Sequence, residues 1–221
     1  DRPSITTSVL AAGMNPVAFD VEYWTTTITI SGAIEFDGEV PASQWTTVRL
    51  YGSADNYLGL VSAQIEPESD GTYTTQVRVP TPTARAHFTV DIGGASPYTE
   101  FALDVYPTPE TDTEATWDLI TTSIEFSGVI TQGGAPLPNG SSLLTFAAYS
   151  GTDLLDDTLT NWASTDASGA YLVHQYLPPG TDRVVVTSDV DPTVGVEIVA
   201  IESPGHTTFT DVDFAGSNPV A

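Results

Sequence analysis

Clustered carboxylates are the side chains of this sequence that are best suited to chemistry. They recur in two short stretches, "GTDLLDD" at 151–157 and "TSDVDPTVGVE" at 187–197. Ca²⁺ accepts several such oxygens in a flexible geometry, although neither stretch has EF-hand spacing. The alternative is a pair of hydrated acidic loops that bind nothing. The candidate calcium ligands are Asp153, Asp156, Asp157, Asp189 and Asp191, and we expect no other cofactor.

The histidines and possible nucleophiles favour a protein without catalysis. His87 and His174 have the strand parity opposite to their apolar neighbours and should point to solvent, whereas His206 follows Pro204-Gly205 in a loop. No two of them have the spacing of metal ligands. The chain has no cysteine and no Gly-x-Ser-x-Gly stretch. A glycosidase carboxylate pair needs a cleft that a small sandwich rarely offers. We therefore expect no catalytic residues and no enzyme.

The charge of the chain excludes several classes of partner. Among 221 residues, 29 are acidic and 5 are basic, which gives a net charge of −24. Such a surface repels nucleic-acid phosphates and anionic membranes. No apolar run approaches the ~18–20 residues needed for membrane insertion. All basic residues are arginine, so a Lys–Asn isopeptide bond cannot form. The acidic composition, rich in Thr, Ser, Gly and Pro, favours an extracellular or cell-surface protein.

Two parts of the sequence resemble each other. Similar residues recur in the same order, which indicates a duplicated unit of roughly 90–105 residues, the size of a domain rather than of a solenoid repeat. The matched positions are Ser31-Gly32 with Ser127-Gly128, residues 70–73 with 168–171, Arg85 with Arg183, and Phe101 with Phe209.

Within each unit, apolar residues alternate with Thr and Ser, as in "ITISGAIEF" at 28–36 and "IEFSGVI" at 124–130. A period of two predicts strands with one buried face, and dipeptides such as Asp37-Gly38 predict hairpin turns. We expect an all-β chain of two tandem Ig-like β-sandwich domains with an extra N-terminal strand. The expected segments are the strand extension 1–22, sandwich 23–105, linker 106–116 and sandwich 117–221. The expected core residues are Trp24, Ile30, Phe88, Phe126, Val185 and Phe214.

The second half resembles the carboxypeptidase regulatory-like domain, a transthyretin-like, Ig-type sandwich. That family has a Ser-Gly strand, a Gly-x-Pro-Leu turn, a polar-Gly-x-Tyr turn and a Pro-Pro-Gly corner. The matching residues are Ser127, Gly128, Pro136, Leu137, Gly169, Tyr171, Pro178, Pro179 and Gly180. The first half keeps the Ser-Gly and Gly-x-Tyr elements but has "VPTPTAR" in place of Pro-Pro-Gly. The resemblance implies the fold and is almost silent on function.

The N-terminal segment lies outside the duplicated unit, and its apolar residues alternate with other residues as they would in a strand. It could complete its own sandwich or that of a neighbouring copy through main-chain pairing and side-chain pockets. The residues of this candidate assembly strand are Ile5, Thr7, Val9, Ala11, Val17, Phe19 and Val21.

These features predict a non-catalytic structural subunit of an extracellular fibre, pilus-like filament or surface layer. Its partners would be copies of itself in a head-to-tail homopolymer. The alternative is a carbohydrate- or protein-binding module of a larger secreted enzyme or adhesin, which would use exposed aromatic side chains. The candidates for that role are Trp45, Tyr51, Tyr57, Tyr149 and Trp162.

Overall fold

The computed structural model describes residues 25–93 and 96–216, and within these ranges the chain is all-β apart from two short 3₁₀ turns, Ser53–Asp55 and Pro97–Thr99. The first eight strands are β1 (Thr25–Glu35), β2 (Gln44–Tyr51), β3 (Tyr57–Ile65), β4 (Thr72–Pro80), β5 (Arg85–Asp91), β6 (Glu100–Val105), β7 (Thr113–Thr116) and β8 (Leu119–Ile120). The next nine are β9 (Thr122–Gln132), β10 (Ala135–Pro136), β11 (Ser141–Ser150), β12 (Asp153–Ser164), β13 (Ala170–Tyr176), β14 (Arg183–Ser188), β15 (Asp191–Val199), β16 (Gly205–Phe209) and β17 (Phe214–Gly216).

The first sandwich packs the sheet around β1 against the sheet β3-β2-β5-β6. Strand β1 pairs antiparallel with β4 on one side and parallel with β7 and β8 on the other. The alternation in the sequence decides which side chains face inward, and Ile28, Ile30 and Phe88 are fully buried in this core. Burying such a side chain contributes about 1.5–3 kcal/mol before entropy losses.

The second sandwich has the same arrangement. Strand β9 pairs antiparallel with β13 and parallel with β16 and β17, and the facing sheet has the order β12-β11-β14-β15. Phe126, Phe146 and Leu144 are fully buried at its centre. The expected all-β sandwich fold is confirmed.

One close contact occurs in both sandwiches. Gly32 on β1 and Gly128 on β9 each lie against a backbone carbonyl, that of Trp117 and that of Val212, so closely that an added Cβ would come within 2.1 Å of its oxygen. The buried hydroxyl of Tyr73 donates to the Trp117 carbonyl at 2.6 Å. The hydroxyl of Tyr171 donates to the equivalent carbonyl of Val212. Each Ser-Gly element therefore marks a place where the segment that runs parallel to its central strand lies in close backbone contact with that strand.

The segment expected to be a linker needs a correction. Residues 106–112 are irregular, but Thr113–Thr116 forms β7 on the edge of β1. Trp117 and Leu119, expected in the second sandwich, are buried in the core of the first. The Pro-rich and acidic start of this segment predicts a loop correctly, but the short strand after it is stabilised by pairing with β1, which local composition does not reveal.

Two further expectations differ from the structure. Phe101 lies on β6, which pairs with β5, whereas Phe209 lies on β16, which pairs with β9, so the two are not equivalent. Val185 is only half-buried, and its neighbours Val184 and Val186 fill the core instead. Three consecutive valines show no alternation, so their parity cannot be read from sequence. The expected core residues that lie within the described ranges and are buried are Ile30, Phe88, Phe126 and Phe214.

The N-terminal strand 1–22, with its candidate assembly residues, lies outside the described residues, as does Trp24. In the part of the chain that the structure does describe, no helix has the length and apolar character needed to cross a membrane.

Candidate functional site

A polar cluster of the described residues lies where the two sandwiches meet. A single residue, Thr121, separates β8 from β9. Its backbone N–H donates to the carbonyl of Glu35 at 3.1 Å, and its own carbonyl accepts from the N–H of Gly205 at 2.9 Å. This short connection holds the end of β1 in the first sandwich beside β9, β13 and β16 of the second.

Asp37 reaches this junction from a tight turn in the first sandwich. Asp37 and Gly38 both have positive φ, 54° and 78°, between the paired residues Phe36 and Glu39. Positive φ at both central positions is the requirement of a type I′ hairpin turn, which Asp-Gly satisfies at low cost. The backbone N–H of Asp37 donates to the Thr121 hydroxyl at 3.0 Å, which fixes the turn against the connection.

The Asp37 carboxylate faces the second sandwich. Its Oδ1 accepts from the Ser123 hydroxyl at 2.8 Å, and its Oδ2 accepts from the Tyr176 hydroxyl at 2.9 Å. Partial burial acts to raise the pKa of this carboxyl, but the hydrogen bonds from Ser123 and Tyr176 and the proximity of His174 outweigh it and hold the pKa below its ordinary value. Asp37 is therefore a carboxylate anion at neutral pH.

Two histidines of the second sandwich complete the cluster. Strands β13 and β16 flank β9, with His174 opposite Glu125 and His206 opposite Ser123, so all four side chains lie on one face of the sheet. The imidazole rings are stacked with centroids 5.9 Å apart. One ligand atom from each of Asp37, His174 and His206 lies within 4.8 Å of the others.

The atoms around Asp37 are arranged in a defined way. His174 Nε2 is 3.1 Å from Asp37 Oδ1, yet within the described part of the chain this buried nitrogen has no well-aligned hydrogen bond. His206 Nδ1 lies 2.9 Å from the Ser123 hydroxyl. His206 Nε2 lies 3.4 Å from the hydroxyl of Thr208. We call Asp37, His174 and His206 the junction cluster.

The presence of Ser, His and Asp together does not make a catalytic triad. A triad needs the carboxylate on the far nitrogen of the histidine and a serine that substrate can reach. Here Asp37 contacts Ser123 itself, and Ser123 is fully buried. The arrangement can bind a cation or fix two domains, but it offers no accessible nucleophile.

A second contact joins the sandwiches beside this cluster. Tyr98, in the 3₁₀ turn before β6, packs against the core of the second sandwich and donates its hydroxyl hydrogen bond to Asp156. Burial, followed by the charge and hydrogen bond of Asp156, raises the pKa of Tyr98 to about 12. A groove of about 360 Å³ is lined by residues from this turn, from β12 and from β13, among them Pro97, Thr160 and His174.

The five aspartates predicted as calcium ligands are not assembled into one group. Asp156 is engaged by Tyr98, and Asp189 accepts from the Ser142 hydroxyl at 2.6 Å. Asp191 accepts from the hydroxyl and N–H of Thr193. Among the residues described, no three of these five carboxylates lie within 4.8 Å of one another. Calcium binding at these loops stays a prediction.

The aromatic candidates for ligand binding divide into two kinds. Trp45, Tyr57 and Trp162 are 60%, 60% and 59% exposed. Tyr51 and Tyr149 are instead each covered by the guanidinium of an arginine, Arg85 at 4.2 Å and Arg183 at 4.0 Å from the ring centroid. The latter two tyrosines belong to internal cation–π pairs.

Sequence reasoning missed the junction cluster. It correctly placed His174 on the outward face of a strand, but that face is covered by the turn of the other sandwich. Asp37 is 139 residues from Tyr176 in the sequence, so no spacing rule could connect them. The Asp-Gly pair was the one available signal, because it predicts a projecting turn.

No family model matches the sequence, and no curated protein matches it significantly. Among solved structures, the chain is similar to a minor pilin of Streptococcus agalactiae, with 13% identity, 89% of this chain and 98% of that chain covered, and a TM-score of 0.43. It is also similar to a streptococcal ancillary pilin, with 9% identity, coverage of 85% and 62%, and a TM-score of 0.36. A putative polysaccharide-binding protein of Bacteroides thetaiotaomicron gives 12% identity, coverage of 79% and 80%, and a TM-score of 0.36. At these values the similarities carry no inference about the activity of this chain.

Proposed function

We propose that this protein is a non-catalytic structural subunit of an extracellular fibre, pilus-like filament or surface layer, built from two copies of a duplicated sandwich. The observation that carries the proposal is the junction, where Thr121 alone separates the last strand of one sandwich from the first strand of the next. Domains joined by a long linker move relative to each other by default. A connection of one residue, with hydrogen bonds on both sides, supports a stiff unit of fixed length.

Two contacts resist bending at this junction. Asp37 is hydrogen-bonded to Ser123 and Tyr176, and Tyr98 packs against the second core and bonds to Asp156. Because the contacts involve different elements of each sandwich, a hinge motion would break at least one of them. A subunit that holds its neighbours at constant spacing needs this kind of stiffness.

Mechanical strength in this chain must come from packing and backbone hydrogen bonds, since it has no lysine for an isopeptide crosslink. Strand β1 is paired on both sides, with β4 antiparallel and with β7 and β8 parallel. Strand β9 is held in the same way by β13 and by β16 and β17. Both central strands therefore resist extraction over the part of their length that is paired on both sides.

Assembly would use the N-terminal segment of one copy as an added strand on another. Outer strands offer the acceptor: β3 carries exposed Leu58 and Leu60, and β15 carries exposed Val194 and Val199. An edge with free backbone groups and apolar side chains is a template for pairing with a further strand. Residues 5–11 and 17–23, with their period-two alternation, have the matching chemistry.

Deletion of residues 1–22 tests this proposal. The truncated protein should fold, as measured by circular dichroism, but form no filaments by electron microscopy. Its small-angle scattering should fit one rigid arrangement of the two sandwiches. In the full chain, Val9→Asp should weaken assembly far more than Thr6→Asp, because alternate side chains of a strand point in opposite directions. Normal filaments from the truncated protein would overturn the assembly mechanism.

The binding-module alternative is supported by the exposed rings of Trp45, Tyr57 and Trp162. A monodisperse monomer that binds a glycan array, and loses binding in Trp45→Ala or Trp162→Ala, would favour it over the filament proposal. These rings lie on both sandwiches, Trp45 and Tyr57 on the first and Trp162 on the second.

A further inference from the structure

The geometry points to a divalent transition-metal site of the zinc class at the domain junction, with Asp37, His174 and His206 as its protein ligands. Asp37 belongs to the first sandwich and both histidines belong to the second. A bound metal would therefore clamp the two sandwiches together. All three ligands lie within one chain, so this inference stands or falls independently of filament formation.

The distances fit a metal ion of this class. Zinc binds imidazole nitrogen and carboxylate oxygen at about 2.0–2.2 Å, which in a tetrahedral site places ligand atoms about 3.4 Å apart. His174 Nε2 and Asp37 Oδ1 are already 3.1 Å apart, and the ligand atoms of the whole cluster lie within 4.8 Å of one another. Small side-chain rotations would bring the three ligand atoms from within 4.8 Å of one another to the separation of about 3.4 Å that zinc requires.

The poorly aligned contact of the His174 nitrogen is the second argument. Among the described residues, His174 Nε2 is buried 3.1 Å from a carboxylate oxygen but has no well-aligned hydrogen bond, although a buried polar atom normally has a partner. A metal ion between His174 and Asp37 would satisfy both atoms at once. His174 is also one of the residues that line the groove beside β12.

Neighbouring side chains already support the ligands. Tyr176 and Ser123 donate to the two oxygens of Asp37 and hold its carboxylate in place. The Nε2 of His206 faces the Thr208 hydroxyl at 3.4 Å, and its Nδ1 lies on the side of the cluster, 2.9 Å from the Ser123 hydroxyl, a contact that metal binding at Nδ1 would replace. Partners of this kind fix the tautomer and orientation of ligands in metal sites.

The ligand set also selects the ion. Two imidazoles and one carboxylate suit Zn²⁺, Co²⁺, Ni²⁺ or Cu²⁺, whereas Ca²⁺ requires six to eight oxygens. Three protein ligands leave one position for water. The junction cluster should therefore bind zinc in the presence of millimolar calcium or magnesium, and its occupation would be distinct from any calcium at the loops of Asp153 or Asp191.

Titration of metal-free protein with Zn²⁺ is the test, by calorimetry and thermal melting. We expect one saturable site, with a rise in Tm of about 5–10 °C at a hundredfold excess of metal over Kd. Co²⁺ at the same site should give the visible absorption of a tetrahedral ion. His174→Gln, His206→Gln and Asp37→Asn should each weaken zinc binding at least tenfold. His87→Gln is the matched control, because His87 pairs with Asp104 within the first sandwich.

Three outcomes would overturn the site. The first is the absence of saturable zinc binding to the unaltered protein, which needs no variant to observe. The second is unchanged affinity in the His174→Gln, His206→Gln double variant. The third is an equal loss of affinity in His87→Gln. Circular dichroism of each variant shows whether a loss of binding comes from the ligand or from unfolding, and the cobalt spectrum of the unaltered protein remains decisive if a variant fails to fold.

Discussion

Asp104 on β6 shows how a single carboxylate stabilises the surface of the first sandwich. It lies 3.2 Å from Arg85 Nη1 and 2.8 Å from His87 Nδ1, both on β5, while Arg85 also contacts Asp55. Partial burial raises the pKa of Asp104, but the hydrogen bonds and charges of His87 and Arg85 outweigh it and lower the pKa below 3.8. The ionised form is therefore favoured by folding.

This gives a pH-dependent prediction for Asp104→Asn. A carboxyl whose pKa falls on folding contributes its full stability above its unfolded pKa and loses it as pH falls through the folded pKa. Because Asp104 is 39% exposed, solvent screening limits the effect to about 0.5 kcal/mol at neutral pH. The difference in unfolding free energy between Asp104→Asn and the unaltered protein should shrink as pH falls below the ordinary carboxyl pKa and through the lowered pKa of Asp104. Asp112→Asn, on the exposed turn before β7, is the control, and a pH-independent difference for Asp104→Asn would contradict the argument.

At the scale of elements, the central strands β1 and β9 depend on close backbone contact with the segments that run parallel beside them. An added Cβ at Gly32 or Gly128 would lie 2.1 Å from a carbonyl oxygen, and backbone cannot yield as a flexible side chain can. We expect Gly32→Ala and Gly128→Ala each to destabilise the chain by about 3 kcal/mol or more. Gly52→Ala, whose Cβ would meet only the Leu58 side chain at 3.3 Å, should cost far less in chemical denaturation. Equal effects at the three positions would contradict the proposed contact.

Local pattern explains which elements could be predicted. Strict alternation identified strands such as β1 and β9, and Asp37-Gly38 identified a turn, because each depends on residues adjacent in sequence. The four-residue β7 could not be found, since it is a strand only through its pairing with β1. The junction cluster could not be predicted either, because it too depends on residues that are far apart in the sequence. Its ligands meet only after both sandwiches fold and Thr121 fixes their relative position.

At the scale of the whole molecule, the charge of −24 acts against compactness. Within the described residues the ion pairs are few: Arg85 with Asp55 and Asp104, Arg183 with Glu197, and two histidine–aspartate contacts. Most carboxylates therefore repel one another through solvent. At 0.1 M salt such repulsion is largely screened beyond about 10 Å.

The Tm of the protein should therefore rise with salt, on the order of 5 °C between 10 mM and 1 M NaCl, because screening relieves repulsion that the unfolded chain feels less. Scanning calorimetry at pH 7 measures this, on protein from which transition metals and chelator have both been removed beforehand so that the junction cluster does not contribute. A CaCl₂ series at matched ionic strength separates screening from binding. A larger rise with calcium would support ligation by Asp153, Asp156, Asp157, Asp189 or Asp191, and Asp153→Asn with Asp191→Asn should remove the excess. Equal rises in Tm with both salts would mean that screening is the sole effect. A Tm that does not change with salt would contradict charge repulsion as a main determinant of stability in this chain.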